Sequence, residues 1–225
     1  MQASGFASNE DCENWSAQEI RRAKPVYFFV KRLFDILFSL LVLIVLSPLF
    51  LIIAIAIKAE DSKGPVIFKQ NRIGANGKPF RMYKFRSMCV NAEDELKKLM
   101  PLNERKGPVF KIRDDPRVTK VGRVLRKFSI DELPQFINVL KNDMSIVGPR
   151  PALPKEYEVY TEHHKKRLLV PQGLTCYWQT RLNRDSLSFD ESIDLDLLYI
   201  KKCGFWTDIK LIIQTIGVML LGQGR

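Results

Sequence analysis

Two adjacent carboxylates, Asp131 and Glu132, are the residues of this sequence best suited to chemistry. Both are ionised at neutral pH, and an aspartate can attack phosphorus to form an acyl phosphate. Attack on a diphosphate requires basic side chains and a divalent cation to neutralise the substrate, and Mg²⁺ is usually held by one or two carboxylates plus phosphates. The pair is therefore a candidate nucleophile and metal site. The alternative is simple capping, because acidic residues are common in the first turn of a helix.

Basic residues that could bind phosphate are concentrated in one stretch of the chain. The formal net charge is +11, and residues 58–128 carry 19 basic and 8 acidic side chains, which is the whole excess. Such a charge attracts phosphate groups of nucleic acids, anionic lipids or nucleotide substrates, and it does not choose among them. Residues 117–127 have the spacing of a basic amphipathic helix that includes Arg126.

Three further basic residues stand out by their local context. The alternation in residues 80–85 predicts a strand that places Lys84 and Arg86 on one face. Arg150 lies between Pro149 and Pro151, which limit its backbone freedom, and a guanidinium suits two-point recognition of phosphate. An ordinary surface turn that happens to contain an arginine remains the alternative for Arg150.

The chain also contains a strongly apolar segment that is interrupted near its middle. Residues 36–57 lack any ionisable side chain, which is long enough for a membrane helix, but Ser47-Pro48 divides them. Proline removes one helical hydrogen-bond donor and leaves the Ile44 carbonyl without its partner, so we expect a bend, with the Ser47 hydroxyl satisfying the backbone. Basic residues flank both ends, and the positive-inside rule then favours a re-entrant helix over a single straight span.

The remaining sequence predicts a mostly helical α+β fold with an N-terminal re-entrant membrane helix and interfacial amphipathic helices. We divide the chain into a disordered tail (1–24), the membrane helix (25–60) and a cytosolic catalytic domain (61–225). Ser129 and Glu132 have the spacing of a capping box that would open a helix through Leu140. Further helices are predicted at 156–170, 189–202 and 205–221, and a short turn at 74–79 separates two strands.

The cysteines and histidines of the sequence do not indicate a metal site. The four cysteines are scattered and show no Cys-x-x-Cys spacing, so neither zinc nor a disulfide framework is indicated, and a reducing compartment is expected. His163 and His164 begin a basic run that we interpret as a solvated or phosphate-facing edge.

Six segments of the sequence form a long and ordered pattern. They are Lys31-Arg32-x-Phe34-Asp35 before the Ser-Pro break, Val66-Ile67-Phe68-x-Gln70-x-Arg72-x-Gly74, Tyr83-Lys84-Phe85-Arg86-Ser87-Met88, Asp131-Glu132-Leu133-Pro134-Gln135, Asn138-Val139-Leu140-Lys141-x-Asp143-Met144-Ser145, and Gly148-Pro149-Arg150-Pro151. Together they resemble the bacterial sugar transferases known as monotopic polyprenyl-phosphate phosphoglycosyl transferases. The resemblance covers residues 31–220.

The resemblance implies a reaction in which Asp131 attacks the β-phosphate of a nucleotide diphosphate sugar and holds the phosphosugar covalently. A polyprenyl phosphate, typically undecaprenyl phosphate, would then take the sugar phosphate. Glu132 would assist Asp131 and help position Mg²⁺. Lys84, Arg126 and Arg150 match basic positions of the family's site, and Asp196 matches a carboxylate near it. We group Arg86 with these cations because it shares a strand face with Lys84.

The sequence departs from the family's pattern between residues 170 and 185, which affects the assignment of one arginine. The family commonly reads Pro-Gly-Ile/Leu-Thr-Gly followed by Gln-Val-x-Gly-Arg, whereas here Gln172 intervenes and Cys176 replaces the second glycine. Either Arg181 or Arg184 could face the substrate, and we select Arg184.

The family's location would be the bacterial inner membrane, with the catalytic domain facing the cytoplasm. The expected partners are the nucleotide sugar, the polyprenyl phosphate and membrane lipids, with a homodimer left open. Nucleic acid is not expected, because no known binding module is present. The alternative function is a membrane-tethered basic scaffold without catalysis, which would leave the adjacent carboxylates unexplained.

Overall fold

The computed structural model of the chain describes residues 16–103, 112, 114–181 and 187–221. Within these ranges the protein is mostly helical and has two small sheets, as the sequence predicts. The helices are α1 (Ala17–Ala23), α2 (Pro25–Val45), α3 (Ser47–Glu60), α4 (Ala92–Leu99), α5 (Lys120–Lys127), α6 (Gln135–Leu140), α7 (Pro154–Glu158), α8 (Glu162–Lys165), α9 (Phe189–Lys202) and α10 (Phe205–Leu220). The strands are β1 (Ile67–Ile73), β2 (Pro79–Phe85), β3 (Ser145–Val147) and β4 (Gly173–Thr175).

The N-terminal apolar segment forms two helices, α2 and α3, that meet at an angle of 60°. Leu46 separates them, and Pro48 lies in the first turn of α3, where its missing donor costs no hydrogen bond. The Ser47 hydroxyl donates to the Ile44 carbonyl at 2.8 Å, so the predicted bend and its compensating hydrogen bond are both present. Within the described ranges, no single helix has the length and apolar composition to cross a membrane, whereas α2 and α3 together pass that test.

Buried polar contacts join α2 to the rest of the protein. The Lys31 ammonium lies 2.6 Å from Asp208 at the start of α10, and the Asp35 carboxylate accepts the backbone N–H of Ile146 at 3.1 Å. The guanidinium of Arg32 donates to the last carbonyls of α6. The charged residues of the Lys31-Arg32-x-x-Asp35 motif therefore attach the apolar helix to the domain that follows it.

The two sheets are a hairpin and a short parallel pair. In the hairpin, β1 and β2 are antiparallel, with Phe68 opposite Lys84, and Asn76 and Gly77 take positive φ in the connecting turn. In the second sheet, β3 runs parallel to β4. The main core lies between these sheets and helices α2, α6, α9 and α10, and its most deeply buried apolar side chains include Val139, Val147, Ile193, Tyr199 and Leu211.

Three local predictions differ from the structure. The tail was predicted to extend to residue 24, but Ser16 forms a capping box with Glu19 and begins α1, so only residues 1–15 lie outside the described part there. Ser129 makes no capping hydrogen bond and has φ of 54°, so the predicted capping box is wrong. The helix predicted at 156–170 is instead divided into α7, α8 and a 3₁₀ turn at Lys166–Leu168.

Candidate active site

Asp131 lies in a tight turn between α5 and α6, which we call the Asp131 turn (residues 128–134). Ser129 adopts a left-handed conformation directly after α5 and reverses the chain, and a 3₁₀ turn then covers Ile130–Glu132. The next helix begins only at Gln135, after Pro134. Asp131 is 8% exposed, so its carboxylate is held at the surface of the core rather than in bulk solvent.

Helix α5 brings Arg126 to this turn and is packed closely against the end of β2. A Cβ atom at Gly122 would collide with the backbone of Ser87, so only glycine permits this approach. The Thr119 N–H donates to the Ser87 carbonyl at 3.1 Å, and the Thr119 hydroxyl caps α5. Strand β2 and helix α5 are thus fixed side by side, each with a cation near Asp131.

Strand β2 contributes Lys84, whose ammonium lies 2.6 Å from Glu132. The strand is held in place by Asn138 of α6, which is fully buried. Its side-chain oxygen accepts the N–H of Tyr83 at 2.9 Å, and its amide group donates to the carbonyl of Arg81 at 2.7 Å. One amide side chain therefore hydrogen-bonds to the strand backbone on both sides of Met82 and fixes the position of Lys84.

The two carboxylates differ in their electrostatic environment. Burial raises the pKa of Asp131 above its usual value; the cations of Lys84 and Arg126 oppose this change, and the charge of Glu132 adds to it. Burial acts in the same direction on Glu132, but the adjacent Lys84, aided by Arg150 and Arg72, outweighs it and lowers the pKa of Glu132. The arrangement favours the ionised form of Glu132 and makes Asp131 more basic than an ordinary aspartate.

Arg150 belongs to a loop, residues 148–152, that we call the Arg150 loop and that is anchored along its backbone. The Gly148 N–H donates to the Thr175 carbonyl at 3.0 Å, and the Pro149 carbonyl accepts from Gly173 at 2.8 Å. A Cβ atom at Gly148 would collide with the carbonyl oxygen of Pro171, so the two segments can approach this closely only at glycine.

The second half of the Arg150 loop is anchored by β1 and α9. The Arg72 guanidinium donates to the Pro151 carbonyl at 2.9 Å, and the Ile73 N–H donates to the Ala152 carbonyl at 2.9 Å. The backbone N–H of Arg150 is directed at the Asp196 carboxylate. Each of the five loop residues therefore has a backbone contact to another element.

The Arg150 side chain contacts an aromatic ring and acts on one of the two carboxylates. Its guanidinium lies over the ring of Trp178, 5.6 Å from the centroid, and its charge acts on Glu132. The site thus combines two carboxylates with cations from β2, α5 and the Arg150 loop. Such a set can bind a diphosphate, neutralise its charge and present an aspartate oxygen to phosphorus.

A match to a known family decides the class of this chain. Residues 26–222 match the model of the family described as bacterial sugar transferase. The chain belongs to the bacterial sugar transferase family. The predicted resemblance is confirmed at this level.

Several relatives of this sugar transferase are known by name. The chain is 46% identical over 201 residues to galactosyl transferase CpsE of Streptococcus agalactiae, covering 89% of this chain and 44% of that protein. It is 41% identical over 206 residues to undecaprenyl-phosphate galactose phosphotransferase of Salmonella typhimurium, covering 90% and 43%. It is 38% identical over 211 residues to exopolysaccharide production protein ExoY of Sinorhizobium fredii, covering 92% of both. The chain therefore spans less than half the length of the first two relatives and nearly all of the third.

The structure of this sugar transferase places Asp131, Glu132, Lys84, Arg126 and Arg150 together, as the sequence predicts. Arg72 was not predicted as a site residue, although it lies in one of the quoted motifs. Burial and the neighbouring Arg150 lower the pKa of Arg72 to about 9, so it remains a cation at neutral pH while contributing charge near Glu132. Its buried position depends on strand pairing that the sequence alone does not show.

Two predicted site residues have other roles. The Arg86 guanidinium is buried and donates to the side chain and carbonyl of Asp61, a contact that the sequence did not predict. Asp196 is fully buried and forms an ion pair with Arg167. Burial raises the pKa of Asp196 to about 6, against the attraction of Arg167. The Asp196 carboxylate also faces the backbone N–H of Arg150 and so helps to hold the Arg150 loop.

The remaining residues singled out in the sequence are two arginines and two histidines. Arg184 lies outside the described residues, while the neighbouring Arg181 is exposed. His163 and His164 each pair with an aspartate of α9, Asp194 at 3.2 Å and Asp190 at 3.1 Å. In the described part of the chain, no group of three or more histidine, cysteine or acidic residues could hold a metal ion.

Proposed function

We propose that this sugar transferase moves a sugar 1-phosphate from a nucleotide diphosphate sugar to a polyprenyl phosphate, with undecaprenyl phosphate as the acceptor. The observation that carries the proposal is the desolvated Asp131 carboxylate beside Glu132, because cations from β2, α5 and the Arg150 loop act on this pair. The Salmonella relative is named as an undecaprenyl-phosphate galactose phosphotransferase, which agrees with such an acceptor.

In the first step, an Asp131 carboxylate oxygen attacks the β-phosphorus of the nucleotide sugar. A bond forms between this oxygen and phosphorus, the bond to the bridging oxygen breaks, and nucleoside monophosphate leaves with the electron pair. Lys84, Arg126 and Arg150 offset the charge that collects on the phosphoryl oxygens. The raised pKa of Asp131 favours this role, because a more basic carboxylate is a better nucleophile.

In the second step, a phosphate oxygen of the polyprenyl phosphate attacks the same phosphorus. The bond from Asp131 to phosphorus breaks, the carboxylate is restored, and a polyprenyl diphosphate sugar is formed. No net proton is required in either step. Both substrates bring a phosphate to the same cations, so one site can serve both half-reactions in turn.

The donor set also fits a magnesium ion. Mg²⁺ prefers oxygen ligands and commonly binds through one or two carboxylates plus substrate phosphates, and Asp131 and Glu132 supply this number. A bound Mg²⁺ would withdraw charge from the phosphoryl oxygens. Phosphate oxygens of the substrate and water would supply the remaining ligands.

The apolar surface supports a membrane location for this reaction. Trp206 of α10 is 83% exposed, and exposed apolar side chains continue along α2 and α3. The rings of Tyr27 and Phe205 are in contact at 5.4 Å, so the first turns of α2 and α10 lie side by side. We propose that α2 and α3 form a re-entrant hairpin, that α10 lies at the interface, and that the site faces the cytoplasm of a bacterial inner membrane.

Covalent labelling tests the reaction. The protein, in vesicles with Mg²⁺, is incubated with nucleotide sugars labelled in the β-phosphate, and the protein is then separated and counted. We expect label on the wild type and none on Asp131→Asn, because an amide is not a nucleophile under these conditions. Addition of undecaprenyl phosphate should remove the label from the wild type.

A matched variant controls for the loss of one negative charge. Asp190→Asn changes an exposed aspartate of α9 and should label like the wild type. Label that persists in Asp131→Asn would remove Asp131 as the nucleophile. A wild type that binds anionic vesicles but never takes label from any nucleotide sugar would favour the scaffold instead.

Cysteine labelling tests the membrane topology. Single cysteines placed at Lys24 and Lys63, in a background where Cys12, Cys89, Cys176 and Cys203 are replaced, should both react with a membrane-impermeant reagent only from the cytoplasmic side. Labelling from opposite sides would show a span and contradict the re-entrant hairpin.

A further inference from the structure

The cytosolic end of α3 carries two consecutive acidic residues, Glu60 and Asp61, that contact different parts of the candidate active site. Helix α3 is apolar up to Ile57, so these carboxylates lie where the apolar segment ends. Neither residue belongs to the chemistry described above. Their partners, however, are the two elements that supply Lys84 and Arg126.

Glu60 binds the beginning of α5. Its two carboxylate oxygens accept the backbone N–H groups of Lys120 at 2.7 Å and Val121 at 2.9 Å. These amides are among the four that lack a partner within their own helix. Helix α5 has four basic residues along its length, and its first turn contains no acidic residue. Its own sequence therefore does not complement the positive end of the helix dipole. Glu60 supplies the missing negative charge from another element.

Asp61 binds the end of β2. One carboxylate oxygen lies 3.1 Å from the guanidinium of Arg86, and the Asp61 carbonyl accepts from the same guanidinium. The other carboxylate oxygen accepts the N–H of Lys63 at 3.0 Å and fixes the turn after α3. Arg86 is two residues from Lys84, so this contact fixes the position of the end of β2, the strand that carries Lys84.

We propose that Glu60 is a positioning residue that places Arg126 beside Asp131 by holding the first turn of α5 against the end of the membrane helix. Asp61 performs the equivalent task for β2. The position of α3 is thereby transmitted to both cations that neutralise Asp131. This inference rests on the proposed function and adds to it a physical link between the apolar segment and the reaction.

A double-mutant cycle tests whether Glu60 acts through Arg126. In Glu60→Gln the side chain keeps one acceptor oxygen and loses its charge, and we expect kcat for nucleoside monophosphate release to fall about five- to tenfold, with KM for the nucleotide sugar little changed. In the Arg126→Lys background the same change should cost less than twofold. In the Arg150→Lys background it should retain its full cost, because Arg150 is held by other elements.

Amide hydrogen exchange tests the same link without relying on turnover. In vesicles, Glu60→Gln should increase exchange at residues 120–127 about fivefold or more and leave residues 148–152 unchanged. Glu158→Gln, an exposed glutamate at the end of α7, is the matched control and should alter neither region. Glu60→Asp, which keeps the charge on a shorter side chain, should restore part of the protection.

These outcomes separate the inference from the proposed function. An inactive wild type would reject the transferase reaction, while the exchange measurement would still report on the link. Wild-type kcat and unchanged exchange in Glu60→Gln would overturn the positioning role. Equal losses in the Arg126→Lys and Arg150→Lys backgrounds would also overturn it, because a general loss of structure does not distinguish the two arginines.

Discussion

The Asp131 turn and the Arg150 loop face the same site, but different forces hold them. In the turn, the pKa values of Asp131 and Glu132 are set by neighbouring charges: Lys84 contacts Glu132, and Lys84 and Arg126 act on Asp131. The loop is held through its backbone, with contacts to β4, β1 and α9 from all five of its residues. Its only charged side chain, Arg150, is oriented by an aromatic ring.

The difference indicates that substitutions in the two regions should affect different properties of the protein, rate in one and stability in the other. Electrostatic coupling in the Asp131 turn sets the basicity of Asp131, the nucleophile that we propose, so substitutions there should change rates more than stability. Backbone anchoring in the Arg150 loop sets geometry, so substitutions beneath it should change stability first and activity as a consequence. On the proposed function, the groups that react are tuned by neighbouring charges, whereas the arginine that binds substrate is placed by a rigid backbone.

Removal of Arg167 should produce the largest loss of stability, because it supports the Arg150 loop from within the core. Arg167→Met leaves the Asp196 carboxylate buried without its counter-charge, and we expect the free energy of unfolding to fall by about 3–5 kcal/mol at pH 8. The pKa of Asp196, already raised to about 6, should rise further, so native Asp196 keeps a proton that the unfolded chain releases. The loss should therefore be smaller at pH 5 than at pH 8.

Denaturant unfolding of the detergent-solubilised protein at the two pH values measures this difference. A loss that does not depend on pH would mean that Arg167 contributes by packing alone.

Substitution of Lys84 should have the next largest effect, and on rate rather than stability. Lys84→Met removes the cation beside Glu132 and Asp131, and we expect kcat for label transfer to fall about 10²-fold, equivalent to about 2.7 kcal/mol. The unfolding free energy should change by less than about 1 kcal/mol, because the lysine side chain is partly exposed.

Lys155→Met, at an exposed position of α7, is the matched control and should keep wild-type kcat. The division between the two regions does not hold if Lys84→Met lowers the free energy of unfolding by more than it raises the activation free energy of label transfer.

Substitution of Gly148 should have the smallest effect of the three. The added methyl group of Gly148→Ala would meet the carbonyl of Pro171, and we expect a loss of about 1–3 kcal/mol in unfolding free energy. Displacement of Arg150 should raise KM for the nucleotide sugar more than it lowers kcat.

Gly217→Ala provides the control, because Gly217 lies in α10 with open space around it. It should stabilise the protein by about 0.5–1 kcal/mol through helix propensity. Equal effects of the two substitutions would show that the Gly148 contact is not restrictive.

Much of the local structure could be predicted from the sequence. Period-two alternation predicted the second hairpin strand, helical periodicity predicted α9 and α10, and proline chemistry predicted the bend at Ser47-Pro48 with its hydrogen bond to Ile44. Each of these depends on neighbours within about four residues, which the sequence displays directly. The capping box at Ser129 failed because packing of α5 forces a left-handed reversal there, which local pattern does not encode.

The sequence by itself determined which groups can do chemistry: the adjacent carboxylates, the arginine between prolines and the lysine of β2. Only the tertiary structure decided which cations serve the site. Arg86 and Lys84 lie two residues apart and differ in partner, because the end of α3 reaches Arg86 while the Asp131 turn reaches Lys84. Likewise, strand pairing and burial place Arg72 near Glu132, while Asp196 pairs with Arg167 in the core. Charge is a property of each residue, but its effect depends on distance and burial, which are set by contacts between segments far apart in the chain.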